Sequence, residues 1–593
     1  MSNKIKLFTI FIAVIFFCGC RMISGLGKTT SYEIVDRRTY NKKHYLHEKE
    51  YIDGRREMVK TLKSLDLKTL EEKPAIGLAF SGGGIRSASF NLGILQVLEF
   101  SKNLYEIDYL STVSGGSYIG AWYVSRLSQH NSKKHDRNLP GGVLYSSNDP
   151  ADLLTKPSYR NIANPSTAQS YRKDPDPIIA LRNKSGFIID RSGSGTLDVV
   201  FSYVGGLFPN FFSKVLFNDL FWLTHDPFYF YKDRIKDTYL SKSIGSSTAE
   251  KENGILLERI NPPNCVAPYL IVNATLGNAG CNNNAFPHYQ NNKYYSKSPF
   301  EFTRDYCGAP GVGYVATKGF DKPVFSVEFS KSFPKKVHVV SKKVHVGSKL
   351  FRCKNIVFPL SYAVAISGAA VDTRVFGSWA SSLDFLATPL NINLRYESYN
   401  FAQTYGEWYH TLYDDLLRGQ TIDRVAPTIN SNHLLLSDGG HYDNLGITAL
   451  VKRRVRKIIV IDVEADPEFK CANIDQSMEA LEKEGMEWIF DDRTPRFGSQ
   501  KYIHKGKIIS KSSDYKADIY YCKLNNSLLW DKQLPSFVKS YMEKKDDKNS
   551  FPYDPTSKQK YNWERLDAYR QFGFYIGSKL VDICKKDGTF ELE

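Results

Sequence analysis

The sequence predicts an α/β fold organised around a parallel sheet, and three observations predict it. Ala75 to Phe80 (AIGLAF) is a short apolar run between Pro74 and a glycine cluster, which suits a buried strand. Ile85, Ala88, Leu92 and Leu95 then recur at helical spacing, to about Leu98. Ile107 to Val113 reads as a second strand and Tyr118 to Leu127 as a second helix. Strand, glycine turn and helix thus occur twice in succession, the order that builds parallel sheets.

Taken in order, the chain opens with Lys4 and Lys6 and an apolar run from Leu7 to Phe17. Eleven residues are too few to span a bilayer, which takes ~20, but they suit the apolar part of a signal peptide. Gly19-Cys20 follows directly and resembles a lipobox, with Phe17 and Cys18 where a leucine and a small residue are usual. Residues 1–20 are therefore expected to be a lipoprotein signal ending in lipidation of Cys20. An ordinary cleaved signal or an uncleaved anchor is the alternative. Each version puts the protein at a membrane, and the lipobox version makes it a bacterial lipoprotein of the cell envelope.

Residues 21–73 are polar and charged and read as a tether plus one packing helix over 52–72. From residue 74 to 593 no long linker intervenes, so one large domain is expected, with insertions near 129–260 and 331–354. Residues 129–192 are rich in Ser, Asn, Asp and Pro, whereas ten of the 25 residues from Leu207 to Tyr231 are Phe, Trp or Tyr. Further strands are expected at 268–273 (PYLIVN), at 323–329 and at Lys457 to Val463. The stretch 331–354 has eight Lys or Arg and no acid, and KKVHV occurs in it twice, which suits a duplicated strand or hairpin edge facing solvent. Lys452-Arg453-Arg454 reads as the end of a helix, where cations suit the dipole. The tail over 551–580 reads as loop then helix.

Composition sets the outer limits. In 593 residues, 79 Lys and Arg against 63 Asp and Glu leave a formal charge of +16, which favours anionic partners. Hydrophobic content of 42% supplies a large core and excludes global disorder. The nine cysteines include no CxxC pair, so neither a disulfide scaffold nor a structural zinc site is expected.

Three clusters carry the chemistry. Ser81-Gly82-Gly83-Gly84-Ile85-Arg86 leaves backbone N–H groups uncovered at a helix entrance, fit for a phosphate or an oxyanion. The Gly-Lys-[Ser/Thr] ending of a phosphate loop is absent. Val113-Ser114-Gly115-Gly116-Ser117 presents a serine at a strand-to-helix turn, like a nucleophile elbow with Thr112 in place of its first glycine. Ser114 is the preferred nucleophile and Ser117 the competitor. Leu434 to Gly446 delivers Asp438 into Gly439-Gly440, an arrangement that is also an ordinary turn.

Together and in this order, the clusters resemble the patatin-like phospholipase family, with an elbow closer to that of cytosolic phospholipase A2. Further stretches look like large bacterial members: Ile271 to Thr275, Phe300 to Thr303, Ala365 to Ala370, and the tail from Phe551-Pro552 to Ala568-Tyr569-Arg570. The resemblance covers roughly 75–575. It implies a three-layer α/β/α fold with a central, mostly parallel sheet and large insertions. It implies Ser114 as nucleophile and Asp438 as base in a dyad without histidine, with Gly83 and Gly84 as oxyanion-hole donors. Arg86 would meet a substrate phosphate or steady the site. The expected substrate is an acyl lipid on a membrane, with anionic lipid favoured. No metal, cofactor or nucleic acid is implied.

A carboxylate of reference pKa ~3.9 is a weak base for a serine, and burial would raise it toward the task. A histidine triad would have to draw on His441 or His504. His441 stands three residues from Asp438, and His504 reads as a solvated strand or turn. An acyltransferase or neutral-lipid esterase with the same dyad is the nearest alternative. A catalytically silent lipid binder is another, and a nucleotide-binding protein a more distant one.

Overall fold

The computed structural model of the chain describes residues 29–35, 37–63, 73–130, 227–240, 254–263, 265–277, 297–310, 312–321, 324–330, 333–340, 358–369, 396–399, 433–491, 501–525, 531–543, 550–556 and 561–591. Its strands are β1 (Thr29–Val35), β2 (Ile76–Phe80), β3 (Ile107–Val113), β4 (Tyr269–Leu276), β5 (Ser298–Phe302), β6 (Tyr306–Ala309), β7 (Gly313–Ala316), β8 (Val324–Ser330), β9 (Phe333–Val340), β10 (Tyr396–Tyr399), β11 (His433–Asp438), β12 (Lys457–Asp462), β13 (Met486–Phe490), β14 (Ile503–Ser510) and β15 (Lys516–Lys523). Its α-helices are α1 (Arg37–Lys63), α2 (Gly84–Phe100), α3 (Gly115–His130), α4 (Pro227–Ile235), α5 (Leu360–Ser367), α6 (Ile447–Lys452), α7 (Ala472–Lys483), α8 (Ser536–Glu543) and α9 (Trp563–Lys586).

Thirteen of the strands follow one another in a mixed sheet in the order β13-β14-β15-β12-β2-β3-β4-β5-β6-β7-β1-β9-β8, and β11 joins it by pairing with β4 and with β10. Its centre, β15-β12-β2-β3-β4, is parallel throughout. Antiparallel strands extend it at both sides. Alternation along β12 shows why the centre is apolar on both faces. Ile459 and Ile461 join the core beneath α2, α3 and α9, while Ile458 and Val460 join the core beneath α6 and α7. This is the three-layer α/β arrangement.

Helix α2 is buried from Gly84 to Glu99, because α9 lies across its outer face. The two helices meet backbone to backbone. A Cβ on Gly93 would stand 1.9 Å from the Arg570 carbonyl oxygen, and one on Gly573 would stand 2.0 Å from that of Phe90. The tail expected as loop then helix is therefore an integral layer of the core.

Among the described residues the N-terminal helix runs over Arg37–Lys63, so it starts well before the expected 52, and 64–72 lie outside the described residues. Its buried positions, Glu48, Ile52, Arg55, Arg56 and Val59, keep helical spacing. Three of the five are charged, so apolar periodicity does not show them. Arg56 grips both oxygens of Asp108 at 3.0 and 2.7 Å, and Arg55 donates to the carbonyls of Val266 and Leu104. Upstream, β1 pairs with both β7 and β9, so the segment expected as a tether contains a sheet strand.

Two basic stretches also take definite places. The first KKVHV lies in β9, which forms a hairpin with the edge strand β8 and has β1 on its other side, so it stands one strand in from the edge. Lys452 and Arg453 do not merely end α6. Arg453 is buried and pairs with Glu48 and Glu301, and Lys452 reaches Glu301 and Glu484. The signal segment, most of the two insertions and the second KKVHV lie outside the described residues.

Candidate active site

The register of three strands brings the site together. Strand β3 runs parallel to β4 and ends with Val113 opposite Asn273. Strand β11 runs antiparallel to β4 and ends with Asp438 opposite Ala274. The two strands thus approach each other head-on along β4 and stop at adjacent residues. Ser114 leaves the end of one and Asp438 is the end of the other, although 324 positions separate them in the chain.

Ser114 is one of the few non-glycine residues with positive φ, at 49°. That backbone costs an L-residue about 1–2 kcal/mol, and it turns the chain abruptly from β3 into α3. Its N–H is accepted by Ser367 Oγ at 2.9 Å, and its carbonyl accepts the N–H of Ser117 at 2.9 Å. The glycine turn lies directly on this elbow. A Cβ on Gly115 would stand 2.0 Å from the Gly84 oxygen and 2.6 Å from the Gly84 nitrogen. Within the turn, Gly83 and Gly84 have φ of 137° and 59°, a conformation that side chains resist.

Asp438 is buried, and its burial pushes the carboxyl from the ordinary 3.8 up to about 7. Two hydrogen bonds hold it back from rising further, one from the Gly440 N–H at 2.7 Å and one with the Ser114 side chain. The carboxylate therefore sits beside the serine hydroxyl with an affinity for protons suited to neutral pH. Tyr118 and Tyr231 hydrogen-bond to each other beside this pair, and Tyr231 donates to the Gly368 carbonyl at 2.8 Å. Burial, with the nearby Asp438 charge as a smaller contribution, raises both phenols well above their usual range.

Ser117, the competing nucleophile, is fully buried on the first turn of α3 and hydrogen-bonds with Thr112 and Ser367. Arg86 is buried too. Its Nε donates to the Val463 carbonyl at 2.8 Å and its Nη1 to the Asp554 carbonyl, so it ties the glycine turn to β12 and to the tail. Of the two roles considered for Arg86, these contacts supply the steadying one. His441 Nδ1 contacts Ser437 Oγ at 3.0 Å on the turn after Asp438. His504 lies on β14, buried against Phe490 and Tyr521, not solvated as expected. Four strand spacings separate β14 from β3, ~19 Å at the usual interval.

The structure adds Asn444, which sequence reasoning gave no role. Its Oδ1 would lie 2.1 Å from a Cβ on Gly82 and 2.5 Å from one on Gly440, so it fills the space between the two glycine clusters. Its carbonyl accepts the Gly82 N–H at 3.0 Å, and its amide donates to Asn473. Its place within Asp-Gly-Gly-His-Tyr-Asp-Asn was the available signal.

Fold and site together define the class: an α/β protein with a strained serine and a buried aspartate meeting at the end of the parallel strands, next to a glycine turn. Among solved structures, the chain is similar to human GIVD cytosolic phospholipase A2. One structure has 15% identity and a TM-score of 0.47 over 90% of this chain. Complexes of the same human protein with methyl gamma-linolenyl fluorophosphonate give 14% and 11% identity and TM-scores of 0.46 and 0.49, each over 91% of this chain. The chain spans 64% of the length of the first of these structures. No protein-family model matches the chain, and neither does any curated protein sequence.

Proposed function

We propose that the chain is a serine acyl hydrolase that cleaves carboxyl esters of phospholipids or lysophospholipids. The observation that carries this reading is the pairing of a positive-φ serine with a buried aspartate whose pKa is raised to about 7. A serine hydroxyl needs its proton removed to act as a nucleophile. Asp438 takes that proton as Ser114 Oγ attacks the ester carbonyl. The oxygen of the tetrahedral adduct gains negative charge, and the N–H groups of Gly83 and Gly84 are the donors available to it, worth ~3–4 kcal/mol for a well-placed donor. Collapse breaks the ester C–O bond, and the proton passes from Asp438 to the departing alcohol. Water, deprotonated by the same carboxylate, then attacks the acyl-Ser114 ester and releases the fatty acid and the free serine.

The lipid substrate is supported by the patatin-like motifs and by the +16 charge, which favours an anionic surface. Attachment through a lipidated Cys20 would hold the enzyme there, and among the described residues no helix is long and apolar enough to cross a membrane. The test is mass spectrometry of products from mixed phospholipid vesicles, together with labelling by an alkyl fluorophosphonate. Wild type is expected to release fatty acid and to be labelled at Ser114, and Ser114→Ala to do neither. Folded wild type that is not labelled and releases nothing would return the chain to the lipid-binding alternative.

A further inference from the structure

Helix α5 ends in Ser367-Gly368-Ala369, and each of these three residues holds a different part of the site. The Ser367 hydroxyl accepts the Ser114 N–H at 2.9 Å. The Gly368 carbonyl accepts the Tyr231 hydroxyl at 2.8 Å. The Ala369 carbonyl accepts the Asp438 N–H at 3.3 Å. One turn of chain, from neither the strand of the nucleophile nor that of the base, thus bonds to the backbone of both.

Proton accounting shows that Ser367 Oγ is fixed. It donates its single proton to the Asn273 carbonyl at 2.6 Å, and Thr112 Oγ1 donates its own to the Ile271 carbonyl at 3.1 Å. Ser117 Oγ touches both hydroxyl oxygens, at 3.1 Å for Thr112 and 2.9 Å for Ser367. Its one proton goes to Thr112 Oγ1. Ser367 Oγ, with its own proton committed to Asn273, therefore turns a lone pair to the Ser114 N–H in a fully buried position. The N–H it accepts belongs to the strained residue. Without that acceptor, the φ of 49° at Ser114 has lost the hydrogen bond that sets its amide direction, and an unsatisfied buried N–H favours relaxation.

We propose that Ser367 is a positioning residue that holds Ser114 at the angle and distance Asp438 requires, while Ala369 fixes Asp438 from the same turn. It acts through the backbone of the nucleophile and does not touch substrate. The proposal rests on the reading of Ser114 as nucleophile.

The test is the rate constant and the final extent of Ser114 labelling by an alkyl fluorophosphonate, measured on the full chain. Ser128→Ala is the matched control. Ser128 Oγ also accepts one buried backbone N–H, from Asn261 at 2.9 Å, and donates to one carbonyl, Val124 at 2.7 Å. It lies about 20 Å along α3 from the elbow. Ser367→Ala is expected to label to the same final extent as wild type but roughly ten- to a hundredfold more slowly. Ser128→Ala is expected to label at the wild-type rate, with a comparable drop in melting temperature. Ser367→Thr, which keeps the hydroxyl, should recover most of the rate. If Ser367→Ala does not fold, Ser367→Cys carries the test, because sulfur occupies the site but accepts weakly. An unchanged rate constant in Ser367→Ala or Ser367→Cys overturns the proposal, and so does a fall matched by Ser128→Ala. Undiminished labelling of Ser114→Ala is a separate outcome, which removes the nucleophile assignment itself.

Discussion

Replacing Asp438 with asparagine should abolish activity and yet stabilise the protein at neutral and alkaline pH. The folded-state pKa of about 7 against an ordinary 3.8 is a difference of about 3 units, and each unit corresponds to ~1.4 kcal/mol. The sign follows from proton uptake. Between pH ~4 and ~7 the folded form keeps the proton that the unfolded chain has already released. Stability therefore falls as pH rises through that window, by ~4 kcal/mol in all, and the deficit persists above pH 7. The substituted amide carries no charge to desolvate, and its carbonyl oxygen still accepts from Gly440 N–H. Denaturation of wild type and Asp438→Asn at a series of pH values reads the effect directly. The variant should unfold later than wild type at pH 8, and the gap should close toward pH 4. The activity of wild type should rise with pH through a midpoint near 7, since only the carboxylate accepts the serine proton. A variant less stable than wild type at pH 8, together with an activity midpoint near 4, would sink the argument that burial tunes this carboxylate.

Three further outcomes are expected. Ser114→Gly should be more stable than Ser114→Ala by about 1 kcal/mol, because glycine adopts the φ of 49° freely, and equal urea midpoints for the two would refute the strain. Arg86→Lys should slow hydrolysis of a phospholipid and of an uncharged nitrophenyl ester by the same factor, because the contacts it loses are to Val463 and Asp554; a selective loss on the phospholipid would assign Arg86 to the headgroup. Gly93→Ala should destabilise by roughly 3 kcal/mol or more as α2 and α9 are forced apart, and a melting temperature within a degree of wild type would contradict the packing described.

How far the sequence reached depended on what kind of signal each element carries. The segments β2, α2, β3 and α3 are legible because a parallel sheet is buried on both faces, so its strands are apolar runs and its helices begin at glycine turns. Ser114 stands out for the same local reason, as the residue between a strand and a glycine pair. The start of α1 is not legible because its inward face includes Glu48, Arg55 and Arg56, whose partners Arg453, Val266 and Asp108 are far away in the chain. His504 looked solvated among lysines, yet it lies under Phe490 and Tyr521, which only strand pairing brings near.

The sequence by itself therefore determined the α/β class, the elbow and the glycine turn, since each is a property of consecutive residues. Only the tertiary structure decided that Asp438 meets Ser114. Asp-Gly-Gly is an ordinary turn in isolation, and its chemistry depends on β11 ending one residue along β4 from the end of β3. Tertiary structure likewise gave Ser367 and Ala369 their partners and raised the Asp438 pKa. Desolvation is a property of everything packed around a group, and no stretch of neighbouring residues encodes it.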